Sequence, residues 1–208
     1  MNNPLPDIVF NVPSAESRVI LKEKGSKFVG IALPVTNQIE VNQQLDLIRK
    51  NYPDAHHHCY AWQIGLQKKL FKLSDDGEPA HTAGNPIFGQ IKAFDLTNVL
   101  VIVVRYFGGI KLGVGGLTSA YREVAKQVLQ SVPIHQIREE ESIWINFNYD
   151  NTQVVKNLLH QLNLKVKQQK FSESCEFQLM VSKNEKIYLT NELDKLNAKG
   201  IKIKWVME

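Results

Sequence analysis

The 208-residue chain is 43% hydrophobic and 22% charged, an ordinary globular composition with room for one large or two small domains. Its net charge of +4 splits into +3 over residues 1–134 and +1 over 135–208, which permits a phosphate-bearing partner but excludes a dedicated DNA-coating protein. Two cysteines, Cys59 and Cys175, exclude a disulfide framework, and the longest apolar run, Val99–Val104, is far short of the roughly 20 residues of a membrane span.

Residues 1–16 read as an extended leader; Asp7, Glu16, three prolines and no Lys or Arg make it unlike a signal peptide, so a cytoplasmic protein without a membrane partner is expected. "SRVILKE" and "SKFVGIALPV" read as strands around the turn signal "KGS". Asn37 and Glu40 have capping-box spacing, and a helix to about Lys50 places Val41, Leu45 and Ile48 on one face. "HHHCYAWQIG" alternates as a strand, and "KLFKL" pairs with it. "SDDGEPAHTAGNP" reads as a loop, "IFGQIKAF" as a helix. "NVLVIVVRYF" is a strand whose unbroken β-branched run implies burial on both faces. "LTSAYREVAKQVL" is a helix with Leu117, Ala120, Tyr121, Val124 and Val128 on one face. Pro133 and the charged run Arg138–Glu141 suggest a linker, dividing the chain into 1–134 and 135–208. The tail then reads strand, helix, strand, strand, helix closed by Gly200, strand: the ferredoxin-like βαββαβ signature.

The chemistry concentrates in two stretches. In "VIVVRYFGGIKLGVGG" a buried strand delivers Arg105 and Tyr106 to a run containing Gly108, Gly109, Gly113, Gly115 and Gly116, with Lys111 among them. Glycines let backbone amides approach a ligand, a helix N-terminus carries about half a positive charge, and Arg105 and Lys111 add whole ones: a phosphate-cradling pattern. It is neither a Walker A loop nor G-x-G-x-x-G, because Thr118 stands where the third glycine belongs. The plainer reading is a tight strand-to-helix reversal. The second stretch, "SDDGEPAHTAG", crowds Asp75, Asp76 and Glu78 ahead of His81 and Thr82. These acids could hold Mg²⁺, act as acid and base, pair with Arg105, or form a solvated turn. His58 is expected to hydrogen-bond this acidic loop rather than bind metal, since no four-ligand set is in view. Tyr60 and Trp62 share its strand face, which is therefore either core or a base-stacking platform. No catalytic triad spacing and no cofactor motif is present.

"HHHCYAWQIG", "SDDGEPAHTAGNPI" and "NVLVIVVRYFGGIKLGVGGLTSAY" together resemble the IMPACT family, in its bacterial form often called YigZ. The run Arg105–Gly113 resembles its hallmark, and the likeness spans roughly residues 15–130. The resemblance implies an α+β protein. Its N-terminal domain would be similar to the second domain of ribosomal protein S5, and its ferredoxin-like C-terminal domain to the last domain of the translocating elongation factor. It implies a link to translation, since eukaryotic members are implicated in translational control under amino-acid starvation. The motif positions it carries over are His58, Asp76, Glu78, Thr82, Arg105, Gly108, Gly109 and Gly113. His81 departs from the family pattern, which usually has glycine there; its side chain would narrow the pocket or add a ligand. Three readings follow: a regulatory protein bound to RNA or the ribosome through the glycine-rich loop, an enzyme on a small phosphorylated or nucleotide substrate, or a protein-binding module with a protein partner.

Overall fold

The computed structural model describes residues 9–68 and 70–207. The start of the expected leader, residues 1–8, and Lys69 of "KLFKL" lie outside the described residues. The chain divides into two compact units, Phe10–Ile137 and a second whose continuous part is Arg138–Glu208.

The larger unit opens with β1 (Val9–Pro13), then β2 (Ser17–Glu23) and β3 (Ser26–Pro34). Helix α1 (Gln38–Asn51) is capped as the spacing predicts: Asn37 Oδ1 accepts from the Glu40 amide at 2.9 Å. The reciprocal bond differs, because the Glu40 carboxylate takes the Thr36 amide instead of the cap residue's own. Then come β4 (His57–Ile64), β5 (Leu70–Ser74), α2 (Gly84–Ala93), β6 (Val99–Tyr106) and α3 (Gly113–Ser131). The main sheet runs β2-β3-β6-β4-β5, with its neighbours antiparallel. Strand β6 is central, which is why Val99–Val104 is apolar on both faces. On one face α1 buries Val41, Leu45 and Ile48 against Ile31, Leu33, Ile102 and Val104; on the other, α2 and α3 bury Ile87, Ile91, Tyr121 and Val124 against Phe28, Cys59, Val101 and Val103. Tyr60 and Trp62 belong to the α1 side, so that face of β4 is core and not a stacking platform.

Three expectations are corrected. Much of the expected linker is a strand, β7 (Ile134–Arg138), paired with β1 from the segment read as an extended leader; of its charged run only 139–140 is irregular, beside the boundary between the units. Helix α2 starts three residues before "IFGQIKAF", taking in Gly84, Asn85 and Pro86. Proline is tolerated there because first-turn amides have no intrahelical acceptor. Helix α3 likewise starts at Gly113, so Gly113, Gly115 and Gly116 form its first turn and only 107–112 is irregular.

The second unit runs β8 (Glu141–Phe147), a 3-10 turn, α4 (Thr152–Gln161), β9 (Val166–Phe171), β10 (Cys175–Val181), α5 (Lys183–Ala198) and β11 (Ile203–Met207). Its sheet order is β11-β8-β10-β9. Helices α4 and α5 bury Val155, Leu159, Leu189 and Leu193 on one sheet face, against Ile143, Ile145, Phe177 and Leu179. A capping box between Ser182 and Glu185 starts α5. No helix of the described residues is long and apolar enough to cross a membrane.

Candidate functional site

Strand parity builds the site. In the antiparallel register Arg105 stands opposite both Phe28 and His57. Arg105 therefore faces α2 and α3, with Val101, Val103 and Cys59, whereas Tyr106 turns to the α1 side. Arg105 is only 5% exposed, and its partner is Glu78: Nη1 donates to Oε1 at 2.7 Å, with both side chains buried. The Tyr121 hydroxyl donates to the same Oε1 at 2.7 Å, and His57 Nε2 lies 3.8 Å from it. The guanidinium lies between the rings of Phe28 and Phe107, at 5.4 and 5.6 Å. Its Nε is buried with no hydrogen-bond partner among the described residues. A second layer tightens the network. Cys59 Sγ donates to the Tyr121 hydroxyl at 3.3 Å, and burial pushes both the thiol and the phenol pKa well above their ordinary values.

The other two acids have separate tasks. Asp75 accepts three backbone amides, from His81, Ala83 and Gly84, at 2.8–2.9 Å. It thus caps α2 from outside that helix's own N-terminus, which has no side-chain cap. Burial alone would raise its pKa; the amide bonds from Gly84, His81 and Ala83 outweigh it, and the carboxyl is held below the ordinary range. Asp76 accepts the backbone amide of His58 at 2.6 Å. The His58 ring meets the Tyr52 carbonyl at 3.1 Å, so the expected bond from the acidic loop goes to this residue's main chain. Thr82 is buried and donates to the Pro79 carbonyl. Among the described residues no cluster of His, Cys, Asp or Glu is arranged to hold a metal ion.

Residue His81 has φ +67°, in the left-handed region that favours glycine, and its exposed ring meets Asn85 at 3.1 Å rather than lining the cleft.

Above the Arg105–Glu78 pair lies an open cleft of about 500 Å³, lined among others by His56, His57, Phe107, Lys111, Gly113 and Val114. Gly108 is required by contact: a Cβ there would stand 1.9 Å from the Gly25 carbonyl carbon, in the turn between β2 and β3. Gly109 and Gly113 have φ of +86° and +70°, which let the chain reverse into α3. Lys111, Gly113 and Gly115 are exposed. The first turn of α3 has neither a capping side chain nor an acidic residue, so its amides remain open to an acceptor. The structure thus brings Arg105, Glu78, Lys111 and Gly113 to one cleft, while Gly108, Gly109, Gly115 and Gly116 lie outside its lining, as do Tyr106, His58, Asp75 and His81. The sequence left His56 and His57 out of this site, whereas Phe107 is foreseeable there as an aromatic beside Arg105 and Lys111. The signal for His57 was its strand parity with Cys59, which puts it on Arg105's face once β4 pairs with β6.

Fold and site together define a class: a two-unit α+β protein whose larger unit buries an Arg–Glu–Tyr network beneath an exposed glycine-rich turn. The chain belongs to the IMPACT family: residues 24–129 match the Impact N-terminal domain. It is similar to the IMPACT family member YvyE of Bacillus subtilis, 32% identical over 176 residues that cover 85% of this chain and 81% of the relative. The IMPACT family member YigZ of Escherichia coli is 34% identical over 158 residues, covering 74% of this chain and 77% of the relative. A solved structure of a hypothetical protein aligns with a TM-score of 0.67 and 25% identity, over 96% of this chain and 97% of that one.

Proposed function

We propose that this protein is a regulator of translation that associates with RNA or the ribosome, gripping phosphate groups at the 108–116 segment. On this reading residues 1–134 are an S5-domain-2-like module and 135–208 a ferredoxin-like one. The carrying observation is the uncapped first turn of α3, whose Gly113 and Val114 are exposed and line, with Lys111, the cleft over Arg105. Open amides and a helix N-terminus attract an anion, and the cleft's charged groups lean positive, with Arg105 and Lys111 against Glu78. The division of labour assigns Arg105 to holding the floor and Lys111 with the amides to the contact. The resemblance to IMPACT proteins supplies the translational context. In a filter-binding titration with a short RNA, affinity should be measurable at low salt and fall steeply as salt rises. Lys111→Glu should weaken it more than Lys199→Glu. No affinity at low salt, or equal effects of the two substitutions, would overturn the proposal.

One observation favours a second reading, a protein partner. Phe107, Ile110 and Val114 are 40%, 57% and 64% exposed around the same turn. Partners captured from lysate that survive nuclease would support it; partners lost with nuclease would support RNA. The carboxylates carry little support for a catalytic reading, because Asp75, Asp76 and Glu78 are each engaged by separate internal partners.

A further inference from the structure

In the second unit, helices cover one face of the sheet and the other carries its own pattern. Residues Ile143, Ile145, Phe147, Phe177 and Leu179 point into the core. By alternation and register, the opposite face presents Trp144 and Asn146 from β8, Glu176 and Gln178 from β10, Gln168 and Lys170 from β9, and Lys204 and Val206 from β11. A solvated sheet face normally carries small or charged residues, yet here Trp144 sits on a central strand with Val206, 63% exposed, directly opposite it. A shallow cleft of about 350 Å³ runs over this patch, lined by Trp144, Asn146, Lys170, Glu176, Lys204 and Val206. The Lys170 ammonium lies 4.7 Å from the Trp144 ring centroid, and Lys167 reaches the same face at Met180. Set against these three lysines is one acid, Glu176, which accepts from Asn146 at 3.1 Å.

We propose that this open sheet face is a binding platform for single-stranded RNA, distinct from the glycine-rich cleft and standing whether or not that cleft binds phosphate. An aromatic ring on a central strand of an open four-stranded sheet stacks an unpaired base, an exposed amide side chain such as that of Gln168 meets base edges, and flanking lysines meet phosphates. The charge and composition fit RNA better than a protein partner. A protein-docking core is depleted in charge, whereas here Lys170 and Lys204 share the cleft with Trp144. Binding moves the Lys170 ammonium from the ring face to a phosphate and frees that face for the base.

The test is fluorescence anisotropy of a labelled 12-nucleotide oligouridylate with the full chain at low salt. Trp144→Ala should weaken binding about 5- to 150-fold, the range of one lost base stack. Trp144→Phe should retain most of the affinity. Lys170→Glu with Lys204→Glu should weaken binding and reduce the salt slope by about two. Lys111→Glu, at the other site, should leave the Trp144 effect intact. If Trp144→Ala does not fold, as judged by its melting curve, Trp144→Phe and the lysine pair decide the question. Absence of binding by the wild-type chain overturns the platform and favours a protein contact at this face. Equal binding by wild type and Trp144→Ala overturns it, as does a duplex of the same length competing as well as the single strand.

Discussion

Replacing Arg105 by alanine should cost stability before it costs anything else. The guanidinium is 5% exposed and gives Glu78 one of its two direct hydrogen bonds; the other comes from the Tyr121 hydroxyl. With Arg105 gone, the Glu78 carboxylate, whose side chain is 3% exposed, is left with the Tyr121 hydroxyl as its one direct hydrogen-bond donor among the described residues. Removing one partner of a buried ion pair destabilises by about 3–5 kcal/mol, because the remaining charge stays desolvated. In a unit the size of Phe10–Ile137, that corresponds to a fall of about 10–25 °C in the melting temperature. Thermal melts followed by circular dichroism would read it. Glu78→Ala should be comparably damaging, stranding Arg105 and the Tyr121 hydroxyl. The double variant should lose less than the two single losses combined, with a coupling of about 1–3 kcal/mol. An Arg105→Ala protein melting within about 2 °C of wild type would refute the reasoning and make Arg105 a contact residue alone.

Other outcomes follow from individual positions. Asp75→Ala should remove the acceptor of three amides and destabilise α2 by about 1–2 kcal/mol in chemical denaturation. The Asp75 carboxyl titrates lower in the folded than in the unfolded chain, so its stabilisation is present above about pH 4 and lost as pH falls through the folded value; Asp75→Asn should flatten that acid limb. His81→Gly should raise stability by about 0.5–1 kcal/mol, relieving the left-handed backbone at φ +67°, and a loss would mean the Asn85 contact matters more. Gly108→Ala should destabilise by about 1–3 kcal/mol, since its methyl meets the Gly25 main chain, whereas Gly115→Ala, with nothing within 4 Å, should be neutral or stabilising.

Periodic elements were legible in the sequence. The β-branched run of β6 announced a central strand, and the apolar stripe of α3 announced its buried face. What could not be read lies where a residue acts at a distance or without period. "IHQIR" carries no alternation strong enough to separate β7 from a linker, and its partner β1 sits far away in sequence. Gly113–Gly116 hid the start of α3, because glycine is a poor helix former and the first turn is held by residues further along. Asp75 looked like a site residue, but its carboxylate closes a cap six to nine residues onward, a spacing no local capping rule contains. The tie between Arg105 and the acidic loop was foreseeable; that Glu78 and not Asp76 makes it depends on how the turn at Gly77, with φ +85°, aims the two side chains.

On the proposed function, a phosphate is held at the first turn of α3 and its neighbours. Amide proton–nitrogen NMR spectra during titration with a short RNA test it most directly. The result expected is that the amides of Gly109, Lys111, Gly113, Val114 and Gly115 shift together and saturably, and that Lys111→Glu reduces their shifts. If those amides stay in place while the chain binds RNA through other residues, the account of this site is wrong.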